Sequence, residues 1–244
     1  MNECFINYLK LRILIYKFIL SLKRGNMMDI KIDIKEIIGE NAKNDYIPIE
    51  LITDKGEISC RFYKVDSNNL GVIWVGGVGG DWDSPAEGLY PNLSQKLKEN
   101  DISSLRIRYR YPHDINESAY DVLAGIRFLE DMGTSKIALV GHSLGGAVII
   151  KAATLSNSVK TVVTLSTQSY GADSVSSISQ DTSILLIHGS DDSVLPSSCS
   201  KQVYSKAHDP KEIIILTGNE HCLDESSEKV HQIVYDWIVS ELTD

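Results

Sequence analysis

Short apolar runs rich in Val and Ile alternate with segments of helical period along most of the chain, and that alternation admits few folds. Residues 70–75, 102–107, 137–140, 161–165, 184–187 and 213–216 read as strands. Between them, residues 92–98 read as a helix, and Ala119, Val122, Leu123, Ile126 and Leu129 recur at the spacing of one helical face until Gly133 stops them. A helix is expected from near Ser143 to about Leu155, another over 198–207, and a last one presenting Val230, Ile233, Val234, Trp237 and Ile238. Residues 47–52 and 58–65 precede the series as a hairpin about Asp54, Lys55 and Gly56. Strands joined through helices pair in parallel and carry helices on both faces. The expected fold is therefore α/β, a doubly wound, mostly parallel sheet of about eight strands, with residues 29–244 as a single domain.

Residues 1–28 stand apart. Lys10, Arg12 and Lys17 interrupt their apolar run, so it falls short of the roughly 20 residues of a membrane helix. No small-residue cleavage site follows it, as a signal peptide would require. The segment reads either as a basic amphipathic helix or as sequence upstream of a true start at Met27 or Met28. The second reading is preferred, because the strand and helix pattern is complete without it. Stable membrane insertion is not expected.

Composition narrows the function. Of 244 residues, 33 are Asp or Glu and 24 are Lys or Arg, a net charge of −9, whereas binding nucleic acid needs a surplus of cations on one face. A hydrophobic share of 43% with 23% charged residues is that of a globular protein rather than a disordered chain or coiled coil. Cys4, Cys60, Cys199 and Cys222 show no CxxC spacing, which argues against zinc or a redox pair and for free thiols in a reducing, cytoplasmic compartment.

The chemistry lies at strand ends. Gly141-His142-Ser143-Leu144-Gly145 follows an apolar strand and opens a helix, the context of a GxSxG nucleophile elbow. Side chains two residues either side of the serine would collide with neighbouring elements, hence the glycines. A serine hydroxyl needs a base, and the base an orienting acid, in the chain order Ser, Asp or Glu, His. The strand at 184–187 runs into His188-Gly189-Ser190-Asp191-Asp192, where spacing favours Asp192 and leaves Asp191 open. Of six histidines, His221 follows the strand at 213–216 in a flexible loop at the correct sheet edge and is the expected base. His142 is expected to point along the wrong side of the elbow. His188 suits a packing or loop-fixing role, and His113, His208 and His231 lie badly placed. Cys222 is expected to be a small buried apolar residue. The glycine run 76–80 lets main-chain N–H groups approach a substrate, and the amides of Val78 and Leu144 are the natural oxyanion pair. Trp82, Gln168 and Tyr170 are candidate cleft residues.

These segments together resemble the α/β-hydrolase superfamily from about residue 45 to the end, in the order Gly76-Gly77-Val78-Gly79, Gly141-His142-Ser143-Leu144-Gly145, His188-Gly189 with Asp192 and Pro196, and Gly218 with His221. Many members carry His-Gly where this chain has Gly76-Gly77. The resemblance implies a serine hydrolase acting on a small acyl substrate without cofactor or metal, in which Ser143 attacks, His221 relays the proton and Asp192 orients the imidazole. The short segment 168–181 leaves no room for a cap, so the chain is similar to small dienelactone-hydrolase-like and acylaminoacyl-peptidase-like domains. Dienelactone hydrolases proper use cysteine where Ser143 stands. The same triad would serve a peptidase or an acyltransferase, and a non-catalytic binding protein on this fold is the reading from another class.

Overall fold

A computed structural model of the chain describes residues 32–43, 45–67 and 69–243, so the expectations for residues 1–28 lie outside it. Nine strands form one sheet: β1 (Ile34–Gly39), β2 (Ile47–Thr53), β3 (Gly56–Tyr63), β4 (Leu70–Val75), β5 (Ile102–Ile107), β6 (Lys136–His142), β7 (Val159–Leu165), β8 (Ser183–Gly189) and β9 (Lys211–Leu216). Their spatial order is β1-β2-β3-β5-β4-β6-β7-β8-β9. The pairs β1–β2, β2–β3 and β3–β5 are antiparallel, and every later pair is parallel. The ninth strand relative to expectation is β1. Its sequence IKEIIG places Lys and Glu among three isoleucines that keep no period of two, and it is only partly buried, as an edge strand allows.

The period of two along each central strand divides the core between the faces. Ile73 and Val75, Ile137 and Leu139, and Ile184 and Leu186 face one cluster, which the helices α2 (Ile115–Asp131), α3 (Leu144–Ala153) and α4 (Ser198–Lys206) cover. Val72 and Trp74, Ala138 and Val140, and Leu185 and Ile187 face the other, covered by α1 (Pro85–Lys96) and α5 (Ser227–Thr243). Burial on both faces explains why these strands are continuous apolar runs rather than alternating ones. The helix after β4 and the helix after β6 lie on opposite faces of adjacent strands. The carboxyl ends of β4 and β6 thus form a topological switch point, where open α/β sheets bind ligands.

The helix expected at 92–98 is observed as α1, followed by a 3-10 turn at Leu97–Asn100. Its first turn is left-handed at residues 86–88, and Pro91 lies within it, so the helical pattern is legible only beyond the proline. Among the described residues no helix is long and apolar enough to cross a membrane.

Candidate active site

Ser143 sits between β6 and α3 with φ 56° and ψ −119°, a conformation that strains any residue with a side chain. The turn is possible because its flanks are bare. A Cβ on Gly141 would stand 2.4 Å from the Gly145 carbonyl oxygen, and one on Gly145 would stand 2.4 Å from that of Gly76. The main chain of Ser143 is fully engaged. Its N–H donates to Leu165 O at 2.8 Å, and its carbonyl accepts from the Gly146 N–H at 3.1 Å. Among the described residues this leaves the hydroxyl as its one uncommitted group.

The loop after β4 passes directly over this serine, since a Cβ on Gly77 would lie 3.2 Å from Ser143 Cβ. The Gly80 N–H closes the loop on Gly77 O at 3.2 Å. Leu144 is the first residue of α3, so its N–H has no intrahelical acceptor. The Val78 side chain is exposed. Amides at 78 and 144 thus belong to the two main-chain segments that flank the serine.

Asp192 and His221 meet across the carboxyl ends of β8 and β9. The His221 Nδ1–H donates to Asp192 Oδ2 at 2.7 Å, which leaves Nε2 to accept a proton. The carboxylate is inaccessible to solvent. Its Oδ1 accepts the N–H groups of Val194 and Leu195 at 2.9 and 2.7 Å. Burial pushes the Asp192 carboxyl up, but the Leu195 N–H, His221 and the Val194 N–H outweigh it and hold the group ionised, below its ordinary value. Asp191, the open alternative in the sequence, instead receives the Ser190 hydroxyl on its Oδ1. His188 has the loop-fixing role expected of it: Nε2–H donates to Leu195 O at 2.9 Å and lies 3.1 Å from Asp192 Oδ2, while Nδ1 meets the Ser200 hydroxyl at 2.7 Å.

One participant escaped the sequence. His142, expected to point away, packs its ring against that of His221 with centroids 4.7 Å apart. Its Nε2–H donates to the His221 carbonyl at 3.1 Å, joining the elbow to the histidine loop. Burial, reinforced by the charge of the neighbouring His221, pushes His142 down to about 4, so the ring is neutral at neutral pH. The only sequence signal was its adjacency to Ser143.

Cys222 is exposed, not buried as expected; the loop buries Leu223 instead, at φ 61°. Partial desolvation together with the Asp224 and Asp83 carboxylates pushes its thiol up, away from the reactive thiolate. Of the candidate cleft residues, Gln168 lies beside the elbow, its N–H 3.4 Å from Ser143 O and its Nε2 donating to Tyr170 O at 2.7 Å. Tyr170 is 81% exposed. Trp82 is turned onto the domain, where the Arg61 guanidinium covers its ring at 4.0 Å and Arg106 Nη2 donates to its carbonyl at 2.7 Å.

The rim holds features that composition could not locate. Val78, Tyr111, Tyr170 and Val194 are exposed large apolar side chains on the loops after β4, β5, β7 and β8. A cleft of about 820 Å³ opens at Tyr111, lined also by Lys55, Pro112 and His113 among others, and Ser143, Asp192 and His221 do not line it. It adjoins the glycine loop, since a Cβ on Gly80 would touch Pro112 at 3.1 Å.

Comparison with known proteins agrees with this architecture. Residues 114–238, just over half of the chain and including Ser143, Asp192 and His221, match the phospholipase/carboxylesterase family model. The uncharacterized protein YfhR of Escherichia coli K12 is 30% identical over 156 residues, 53% of each chain. The chain thus spans about half the length of the curated relatives it matches. Est1E from Butyrivibrio proteoclasticus shares the fold with a TM-score of 0.68 at 16% identity, over 81% of this chain and 99% of that one. Dienelactone hydrolase from Anabaena variabilis does so with a TM-score of 0.68 at 17% identity, over 80% and 98%. The chain belongs to the phospholipase/carboxylesterase family of the α/β-hydrolase superfamily.

Proposed function

We propose that the protein is a serine hydrolase that cleaves a carboxylic ester or related acyl bond through an acyl-enzyme on Ser143. The observation that carries this reading is the 2.7 Å bond from His221 to buried Asp192 at the sheet edge where the strained elbow presents an uncommitted hydroxyl. His221 Nε2 takes the proton as Ser143 Oγ bonds to the acyl carbon. The carbonyl electron pair moves to oxygen, and the Val78 and Leu144 N–H groups stabilise that charge. Collapse expels the alcohol, which receives the proton from His221. Water then repeats the sequence on the acyl-enzyme. Asp192 stays ionised and holds the imidazole in the tautomer that the first step needs.

The open, partly apolar rim favours short acyl esters over a deeply enclosed lipid chain, with Gln168 and Tyr170 beside the acyl group. Trp82 contributes through the arginine stack that fixes the chain beyond the glycine loop. A cytoplasmic setting rests on the cysteine spacing alone. A panel of short acyl esters, thioesters and aminoacyl amides tests the reading: ester turnover that disappears in Ser143→Ala is expected. Turnover unchanged in Ser143→Ala, or none across the panel, rejects it.

A further inference from the structure

Behind the loop that carries His221, the chain makes a turn that residues with side chains avoid. Ala86 (φ 49°, ψ 55°), Glu87 (φ 50°, ψ 45°) and Gly88 (φ 88°, ψ 32°) are left-handed in succession. Left-handed backbone crowds Cβ against the following carbonyl, and only Gly88 escapes that cost. Such strain persists where the surroundings hold it. Here four hydrogen bonds do so, all to residues 222–231. The Ala86 N–H donates to Cys222 O at 2.7 Å, and the His231 Nε2–H donates to Ala86 O at 2.7 Å. The Glu87 N–H donates to Asp224 Oδ1 at 2.9 Å, and the Ser227 hydroxyl to Glu87 Oε2 at 2.9 Å. Ala86 therefore couples α5 to the histidine loop through the N–H and C=O of one residue.

The loop has reason to need this. Gly218 and Leu223, on either side of His221, are both at positive φ, 75° and 61°, and no strand or helix ladder fixes the backbone between them. Two successive carbonyls are instead gripped from outside: His221 O by His142, and Cys222 O by Ala86. We propose that His231 is a positioning residue for His221, acting through the left-handed turn at 86–88 on the main chain of Cys222. Its effect on rate rests on the serine-hydrolase reading; its effect on the geometry of His221 does not. Because Ala86 O can only accept, the bond requires the proton on His231 Nε2.

His231→Phe removes the donor and keeps a ring, while His231→Gln restores an N–H. In His231→Phe, kcat for a short acyl ester is expected to fall about tenfold with KM within about twofold, because small errors in placing a catalytic group cost rate rather than binding. His231→Gln is expected to recover most of that loss. The proton NMR signal of His221 Nδ1–H, assigned by its absence in His221→Ala, is expected to shift or broaden in His231→Phe and return in His231→Gln. An unmoved signal and wild-type kcat in folded His231→Phe overturn the proposal. So does a loss that follows the melting temperature and is not recovered by glutamine. Should His231→Phe fail to fold, His231→Leu removes the same donor from Ala86 O with a smaller side chain, and the same two readouts decide. Absence of Ser143-dependent turnover in the wild type would sink the hydrolase reading alone, and the His221 signal would still judge the pin.

Discussion

Replacing Gly145 with alanine puts a methyl group where the elbow and the glycine loop meet. The added Cβ would stand 2.4 Å from Gly76 O and 3.0 Å from Val75 O. Both are main-chain atoms, so no side chain can swing aside. Real Cβ atoms essentially never approach closer than 3.0 Å, so the loop after β4 and the start of α3 must separate by at least 3.0 − 2.4 = 0.6 Å. Overpacking of this kind costs about 1–3 kcal/mol, or roughly 2–12 °C of melting temperature in a domain of this size. The same displacement spreads the Val78 and Leu144 amides, and an error approaching 1 Å at reacting atoms costs on the order of 10²-fold in rate. Ester kcat/KM, followed by nitrophenol release, is expected to fall between about 10-fold and 10²-fold in protein that remains folded. Gly39→Ala is the matched control: its Cβ meets nothing within 4 Å, and its stability should stay within about 0.5 kcal/mol. Wild-type kcat/KM and melting in Gly145→Ala would refute the close-approach reasoning.

Other perturbations separate neighbouring roles. Asp192→Asn is expected to lower ester kcat on the order of 10³–10⁴-fold by fixing the wrong imidazole tautomer, whereas Asp191→Asn stays near wild type; equal losses would reassign the acid. Asp121 is a fully buried carboxylate that receives the Arg110 N–H at 2.8 Å and pairs with its guanidinium, itself 6% exposed. Asp121→Leu leaves the Arg110 N–H and Nε without acceptors, while Glu117, at 3.0 Å, and the Lys55 carbonyl still hold the guanidinium. It should cost about 1–3 kcal/mol in urea unfolding, and a cost under about 0.5 kcal/mol contradicts that. His142, faced by His221, Asp83 and Asp192, is pushed down to about 4 by burial first. The unfolded chain, with its histidine near 6.5, binds the proton first as pH falls. The stability this site contributes above pH 6.5 therefore drains on acidification and levels near pH 4. Melting of His142→Asn should approach that of the wild type across that window, and a constant difference would contradict the assignment.

The elements legible in the sequence were those set by sterics or by strong periodicity. Gly141 and Gly145 mark the elbow because two main chains pass within contact distance of where their side chains would be. The central strands read as apolar runs because both faces are buried. Asp192 and His221 were candidates because the fold fixes chain order and sheet edge; spacing favoured Asp192 and left Asp191 open, and it is the Asp192 carboxylate that His221 meets. What stayed hidden depends on contacts between distant segments. The partnership of His142 with the His221 carbonyl leaves no pattern in either segment. The left-handed turn has alanine and glutamate where glycine or asparagine would have signalled it, because distant hydrogen bonds rather than local propensity stabilise it. Cys222, expected to be a small buried apolar residue, is exposed for a related reason: the turn of the loop buries its neighbour Leu223 instead.

Trapping the intermediate is the most direct test. The protein is mixed with a short acyl nitrophenyl ester, quenched in acid early in the reaction and digested, and the mass of the peptide carrying Ser143 is measured. One acyl group per chain on Ser143, absent from Ser143→Ala and formed far more slowly in His221→Ala, is the expected result. Turnover with no covalent acyl group, or an acyl group on another side chain such as the exposed Cys222, would contradict it.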